Sequence, residues 1–462
     1  MIAPPAARAL HAPGAVLLLS CYELGHEPQG LAGPLAFLER AGYGPAALDL
    51  AVEPLDETRL RAARFIGISV PMHTALRLGV ATARRARQVN PRAHICFYGL
   101  YATLNADYLL DGIADSVLGG EYEQELVEVV GSVAAGARSR GRREPVLERL
   151  DFPLPRRRSL ALPAPYAALI DERGRRPAGY VEASRGCLHH CRHCPIPPVY
   201  GGRFFVVPAD VVLADIRGQV AAGATHITFG DPDFLNGPGH SLKIVRAMHA
   251  EFPHVTFDCT AKIEHLLERR DLLPELAGLG CAFIVSAVES LSDVVLAHLE
   301  KGHTRADVHA ALAAMRVAGI ALRPSFVPFT PWATLDDYLE LLDFVAAEDL
   351  VYHVDPVQYG IRLLVPPRSG LLERPALRPF LGPLDPTALT YTWTHPDPRM
   401  DDLQRAVMTI VERGTRQEAD AASTFERVRE AAYRAAGRPT PPPRRRSAGQ
   451  PRPARLSEPW FC

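Results

Sequence analysis

At 462 residues the chain exceeds one ordinary hydrophobic core, so two or three domains are expected. Its 51 basic and 52 acidic residues leave a formal net charge of -1, which excludes the basic field of a general nucleic-acid binder, and 47% apolar residues is a globular balance. No apolar run has the length of a membrane span and the start "MIAPPAARALHAPG" has no clear signal peptide, so the expectation is a cytoplasmic protein with neither membrane nor nucleic acid as partner.

Residues 1–14 read as a disordered lead. From 15 to 136 strands and helices alternate: "AVLLLS", "FIGISV", "HICFYG" and "ADSVLGG" have strand character, while "LAGPLAFLERAG", "TALRLGVATARRARQVNP" and "EYEQELVEVVGSVAAG" are helical. Such alternation predicts a doubly wound parallel sheet, whose ligands bind at the carboxyl ends of the strands. Those ends carry Ser20-Cys21-Tyr22, Pro71-Met72-His73, Gly99-Leu100-Tyr101 and Gly119-Gly120-Glu121. Residues 137–178, rich in Arg and Pro, read as a linker. A second α/β alternation occupies 179–395, with candidate strands at 180–184, 226–230, 254–260, 281–288, 319–327 and 351–359. Six βα repeats make a partial parallel barrel with its site at the C-terminal strand ends. A helical segment is expected at 396–436. The tract 437–462, which includes "GRPTPPPRRRSAGQPRPAR", is too rich in proline and charge to pack.

Three of the eight cysteines fall within "SRGCLHHCRHCPIPPVYGGRF", directly after the first barrel strand. Cys187, Cys191 and Cys194 are spaced C-x3-C-x2-C, and Pro195, Pro197 and Pro198 prevent one continuous helix through them. Three thiols cannot pair among themselves, and a reducing compartment disfavours disulfides. Zinc usually takes a fourth ligand from a second knuckle, which is absent here, although a neighbouring histidine can complete a Cys3His set. Three thiolates on short unequal spacings suit a [4Fe–4S] cube with one iron left open. His189 and His190 read as solvent-facing spacers, and Cys259 and Cys281 as small buried hydrophobes. Only three lysines survive among abundant arginines, at 243, 262 and 301, so each hints at a need for a compact ammonium.

C-x3-C-x2-C after the first strand of a βα barrel resembles the radical S-adenosylmethionine (radical SAM) superfamily, over about residues 179–370. The resemblance implies a [4Fe–4S] cluster held by Cys187, Cys191 and Cys194, with SAM chelated at the open iron. Reductive cleavage of SAM then yields a 5′-deoxyadenosyl radical that abstracts hydrogen from a small-molecule or peptide substrate, after a flavodoxin or ferredoxin supplies the electron. In "FGDPDFLN" Asp231, ahead of Asp233, is the position implied for the SAM amino group. In "SAVES" Ser286 and Glu289 resemble the ribose contacts, and Lys301 in "EKGHT" is placed to neutralise a carboxylate. Arg323 and Ser325 in "RPSFVPFTPW" lie near the expected methionyl group. His193 stands where that family usually has an aromatic residue.

A doubly wound domain ahead of such a barrel resembles the cobalamin-binding class, with Gly99 and Gly119 near the corrin and its nucleotide tail. The usual Asp-x-His-x-x-Gly ligand motif is absent, and His26 is the nearby imidazole. Two alternatives stay open: cobalamin bound without a histidine ligand, or a degenerate descendant. A cobalamin-dependent methyltransferase is therefore the enzyme alternative to hydrogen abstraction, and a zinc-stabilised binding module is the non-enzyme alternative. A methylthiotransferase is disfavoured because the N-terminal domain lacks the cysteines for a second cluster. The ending "RLSEPWFC" resembles the CUAEP/CCAEP-tail radical SAM (seleno)protein group, which implies that Cys462 is followed by a selenocysteine encoded by UGA.

Overall fold

The computed structural model describes residues 10–137, 144–157, 166–442 and 452–457. Short runs of Val, Leu, Ile and Phe build the N-terminal sheet: β1 (Val16–Ser20), β2 (Ala46–Asp49), β3 (Phe65–Ser69), β4 (His94–Tyr98) and β5 (Ser116–Leu118). All are parallel, in the order β2-β1-β3-β4-β5. Alternate residues serve opposite faces. Val16, Leu18, Phe65 and Tyr98 pack on helices 29–40 and 123–134, while Leu17, Leu19, Ile66 and Phe97 pack on helices 57–62 and 73–89. The short edge strand β2 escapes a reading of apolar runs because it ends on Asp49 after only four residues.

The second sheet is a curled half-barrel whose strands run in the order 321–326, 281–289, 256–260, 226–229, 174–181, 168–171 and 455–456. Its parallel strands are β7 (Gly174–Val181), β10 (His226–Phe229), β11 (Thr256–Thr260), β12 (Cys281–Glu289) and β13 (Ala321–Phe326). The hairpin β8 (Ser184–Gly186) and β9 (Phe204–Val206) brackets the cysteine loop. A second hairpin, β14 (Leu381–Asp385) and β15 (Thr390–Trp393), precedes helices 398–416 and 421–435.

Three expectations need correction. The linker's last part is not a connector: β6 (Ala168–Asp171) turns back against β7, whose exposed start carries Arg175 and Arg176. The stretch 351–359, expected as a sixth strand, is turn and 3-10 helix. Pro356 has no amide hydrogen for a ladder, and the parallel bridge Phe329↔Arg362 follows beyond it. Part of the tail packs. Residues Arg455–Leu456 form β16 on the free edge of β6, and Arg452 bonds Asp420 at 2.7 Å while lying over the Tyr352 ring. Edge hydrogen bonding needs backbone, not apolar side chains, so composition does not exclude it. Trp460, Phe461 and Cys462 lie outside the described residues.

The two sheets are joined by buried charge. Arg157 reaches Asp215 at 2.7 Å, the Gln29 side chain at 2.8 Å and the Tyr180 carbonyl at 2.6 Å. Arg185, just before the cysteine loop, pairs with Glu123 of the N-terminal domain at 2.7 Å and with Glu182 at 3.1 Å.

Candidate active site

The cysteine loop is pinned at several points. Gly186 holds φ +73°, and a Cβ there would collide with the Arg203 carbonyl. The Arg192 amide donates to the Leu299 carbonyl at 3.0 Å, and its guanidinium pairs with Glu300 at 2.8 Å and Glu373 at 3.1 Å. The Leu188 amide donates to the Asn236 side chain at 3.4 Å. Cys187 and Cys191 are buried and Cys194 is half-buried, all three as free thiols. Burial pushes the Cys194 thiol up to about 12 and raises Cys187 as well. Thiols that resist ionisation in the free protein are deprotonated by a bound metal, so the all-sulfur donor set fits an iron–sulfur cluster.

Beside the loop stands a buried charged group. Glu289 takes Lys301 Nζ at 3.4 Å and His193 Nε2 at 3.1 Å on one carboxylate oxygen. Burial alone would raise its pKa, but Lys301 and then His193 hold it at about 2. Its φ of +65° is a strained setting for a non-glycine residue, kept by the surrounding packing at the end of β12. Lys301 keeps its charge despite burial, chiefly through Glu289. The His193 position, unusual for an aromatic site, is thus filled by a hydrogen-bonding ring.

The other predicted residues fall in different places. Asp231 accepts from the Ala183 amide at 3.0 Å and from the Ser184 hydroxyl, tying β10 to the chain just before the cysteines. Its burial raises the carboxyl to about 7. Arg323 and Ser325 line a cavity of about 170 Å³ inside the half-barrel, together with Asp258, Thr260, His26 and Leu456. Arg323 pairs there with Asp355 at 3.2 Å. Ser286 is fully buried on β12, and its hydroxyl has no hydrogen-bond partner. His190 is exposed, as a spacer would be, but His189 is half-buried against His265 at 3.3 Å. No sequence signal joined those two histidines, which are 76 residues apart.

Gly99 and Gly119 lie apart from this group, at the N-terminal strand ends. Gly99 holds φ +108° against the Val70 backbone, and a Cβ on Gly119 would collide with the Thr103 hydroxyl. Tyr22, Val70 and Tyr101 at these ends share one core with Val199, Tyr200 and Leu389. His73 Nε2 also sits 2.7 Å from the Ala388 carbonyl. These contacts cover part of that face with the chain itself.

Residues 181–345 match the family model described as the radical SAM superfamily. The chain carries a radical SAM domain. Among curated proteins it is similar to the ribosomal protein uS12 methylthiotransferase RimO of Geotalea uraniireducens (strain Rf4), 26% identical over 186 residues, 36% of this chain and 39% of that protein. The chain thus spans about two fifths of the length of the curated relatives it matches. Among solved structures it resembles the cobalamin-dependent S-adenosylmethionine radical enzyme OxsB with aqua-cobalamin bound, with TM-score 0.66, 16% identity, and coverage of 87% of this chain and 67% of that one. It also resembles the radical S-adenosylmethionine methyltransferase TsrM from Kitasatospora setae, with TM-score 0.55, 17% identity, and coverage of 73% and 70%. These likenesses extend the shared fold across the N-terminal sheet as well as the half-barrel. Domain and relatives support an enzyme over a binding module, and a radical SAM domain implies a [4Fe–4S] cluster and SAM as cofactors. Among the described residues, no helix is long and apolar enough to cross a membrane.

Proposed function

We propose that the protein cleaves SAM reductively to a 5′-deoxyadenosyl radical that takes hydrogen from a small-molecule or peptide substrate. The observation that carries this reading is the pinned loop of Cys187, Cys191 and Cys194 with the buried Lys301–Glu289–His193 group against it. The cluster, when bound, supplies the single electron for cleavage, delivered to it by a flavodoxin or ferredoxin. The chain's own work is binding and exclusion. Glu289, held ionised, can accept two ribose hydroxyl hydrogens, and Lys301 offers a fixed ammonium beside the sulfurs. Asp231 positions the chain entering the loop, and the cavity lined by Arg323 and Ser325 is the candidate substrate space. Ser286 needs a rotamer change or a bound partner to be satisfied, which is the support for its role near SAM.

The test is anaerobic reconstitution with iron and sulfide, followed by reduction in the presence of SAM. Release of 5′-deoxyadenosine is expected, and its absence from protein with a full cluster overturns the reading. About one zinc per chain with no iron would favour the binding module instead.

A cobalamin-dependent methyl transfer is the second reading, favoured by the likeness to OxsB and TsrM. Hydroxocobalamin should then change its visible spectrum on titration into the holoprotein, whereas an unchanged spectrum leaves the N-terminal domain as a scaffold. Methylthio transfer is disfavoured, since Cys21 and Cys96, the N-terminal domain's cysteines, lie in cores on opposite faces of the sheet. The likeness of the tail to the CUAEP/CCAEP group is tested by the nucleotides after codon 462, where TGA followed by in-frame Ala-Glu-Pro codons is expected.

A further inference from the structure

Beside the cysteine loop lies a set of ligand-type side chains that the proposed reaction does not use. His189, between Cys187 and Cys191, turns its Nε2 to within 3.3 Å of the Nε2 of His265, at the start of the helix that follows β11. The rings are tilted by 57° with centroids 4.6 Å apart. Each ring has a carboxylate behind its other nitrogen. Asp233 Oδ2 lies 2.8 Å from Nδ1 of His265, and Glu264 Oε2 lies 3.6 Å from Nδ1 of His189.

The Asp233 contact sets the tautomer of His265. A carboxylate on Nδ1 favours a hydrogen there, which leaves the lone pair on Nε2. The Nε2 lone pair of His265 then faces Nε2 of His189, and either a proton on that nitrogen or a shared cation lies between them. Ligand nitrogens at about 2.0–2.1 Å from a tetrahedral ion are about 3.3 Å apart, which is the spacing found. Asp233 Oδ2 is also 3.9 Å from Nε2 of His189, within reach as a third ligand after a small shift. Asp233 is well fixed for either role, because it caps residues 234–236 and accepts from the Lys262 amide at 3.3 Å. The Lys262 ammonium pairs with Glu264 at 2.9 Å, and so partly neutralises one of the two carboxylates. Both imidazoles stay partly open to solvent, with side-chain exposures of 17% for His189 and 12% for His265, so waters can complete the coordination.

We propose that His189 and His265, backed by Asp233 and Glu264, bind a divalent ion of borderline softness, of the zinc type. Such an ion fastens the cysteine loop to the end of β11, and its open positions face solvent for water or a donor group of a substrate. The site does not depend on the cluster, and its test keeps the two separate.

Reconstituted holoprotein is dialysed anaerobically against zinc chloride, and bound iron and zinc are counted by mass spectrometry. About four irons and one zinc per chain are expected in the wild type. His265→Ala, outside the cysteine loop, should keep the iron and bind zinc at least tenfold more weakly. Asp233→Asn should weaken zinc about tenfold, as loss of a carboxylate behind a ligating histidine does. In a Cys187/Cys191/Cys194→Ala background the iron should vanish and the zinc remain. Wild type with four irons and no zinc overturns the proposal, as does full zinc affinity in His265→Ala. So does a His265→Ala variant that loses SAM affinity in zinc-free protein while taking up zinc normally, since the group would then belong to the SAM site.

Discussion

The two parallel sheets present their carboxyl ends in contrasting ways. At the N-terminal sheet those ends are partly covered, with Tyr22, Val70 and Tyr101 in one core with Val199, Tyr200 and Leu389. At the half-barrel the strand ends carry three thiols, a buried Lys301–Glu289 pair and two aspartates. Two carboxylates measure the difference. Glu289 has a cation and a histidine on one oxygen, and its pKa sits at about 2. Glu23, after β1, accepts from the neutral Gln29 and Gly30 amides and the Ser69 hydroxyl, and burial drives it to about 8. Shared topology says where a site can be, and the residues that follow each strand decide whether one is built.

The comparison is broken most severely at the joint between the sheets. Arg157→Ala leaves Asp215 and Glu27 buried without their cation, and a loss of about 3–5 kcal/mol is expected in urea unfolding. A change within about 0.5 kcal/mol would mean that the domains do not depend on this contact. At the barrel end, Glu289→Ala should keep the full iron content and weaken SAM binding by about 1–3 kcal/mol, read by calorimetry. Unchanged affinity removes Glu289 from the SAM site.

A pH-dependent effect sharpens the contrast at the other end. The Glu23 pKa is raised on folding from 4.5 to about 8, so the native state binds the extra proton. Its contribution is therefore fully present below about pH 4.5 and is lost as pH rises through about 8. Glu23→Gln cannot titrate, and its melting temperature should decline less than that of the wild type between those limits. Parallel pH profiles would show that Glu23 is hydrated or paired in solution.

Much of the architecture was legible because it is written in local runs. Strands such as "FIGISV" and "CAFIVSAV" read clearly, the first because helices cover both faces of its sheet and the second because Ile284 and Val288 pack in the core while Phe283 and Val285 line the barrel cavity, and the cysteine spacing survives any error in element boundaries. What was missed depends on partners distant in sequence. β16 is an edge strand on β6, and the pairing of both uses backbone, so arginine and proline nearby disguised them. The sixth-strand expectation failed where Asp355-Pro356 interrupts an otherwise apolar run. The His189–His265 contact joins the cysteine loop to a helix 76 residues away, and neither segment alone announces it. His193 looked like a departure from an aromatic pattern, and only the fold shows it bonded to Glu289.

The central claim is that Cys187, Cys191 and Cys194 hold the cluster that makes this half-barrel end a radical SAM site. Iron and sulfide counts and 5′-deoxyadenosine release, measured together on anaerobic wild type and on the triple Cys→Ala variant, test it most directly. The wild type should contain about four irons and four sulfides per chain and release 5′-deoxyadenosine when reduced with SAM, and the triple variant should do neither. A triple variant that retains full iron, or a wild type with a full cluster and no 5′-deoxyadenosine, contradicts the claim.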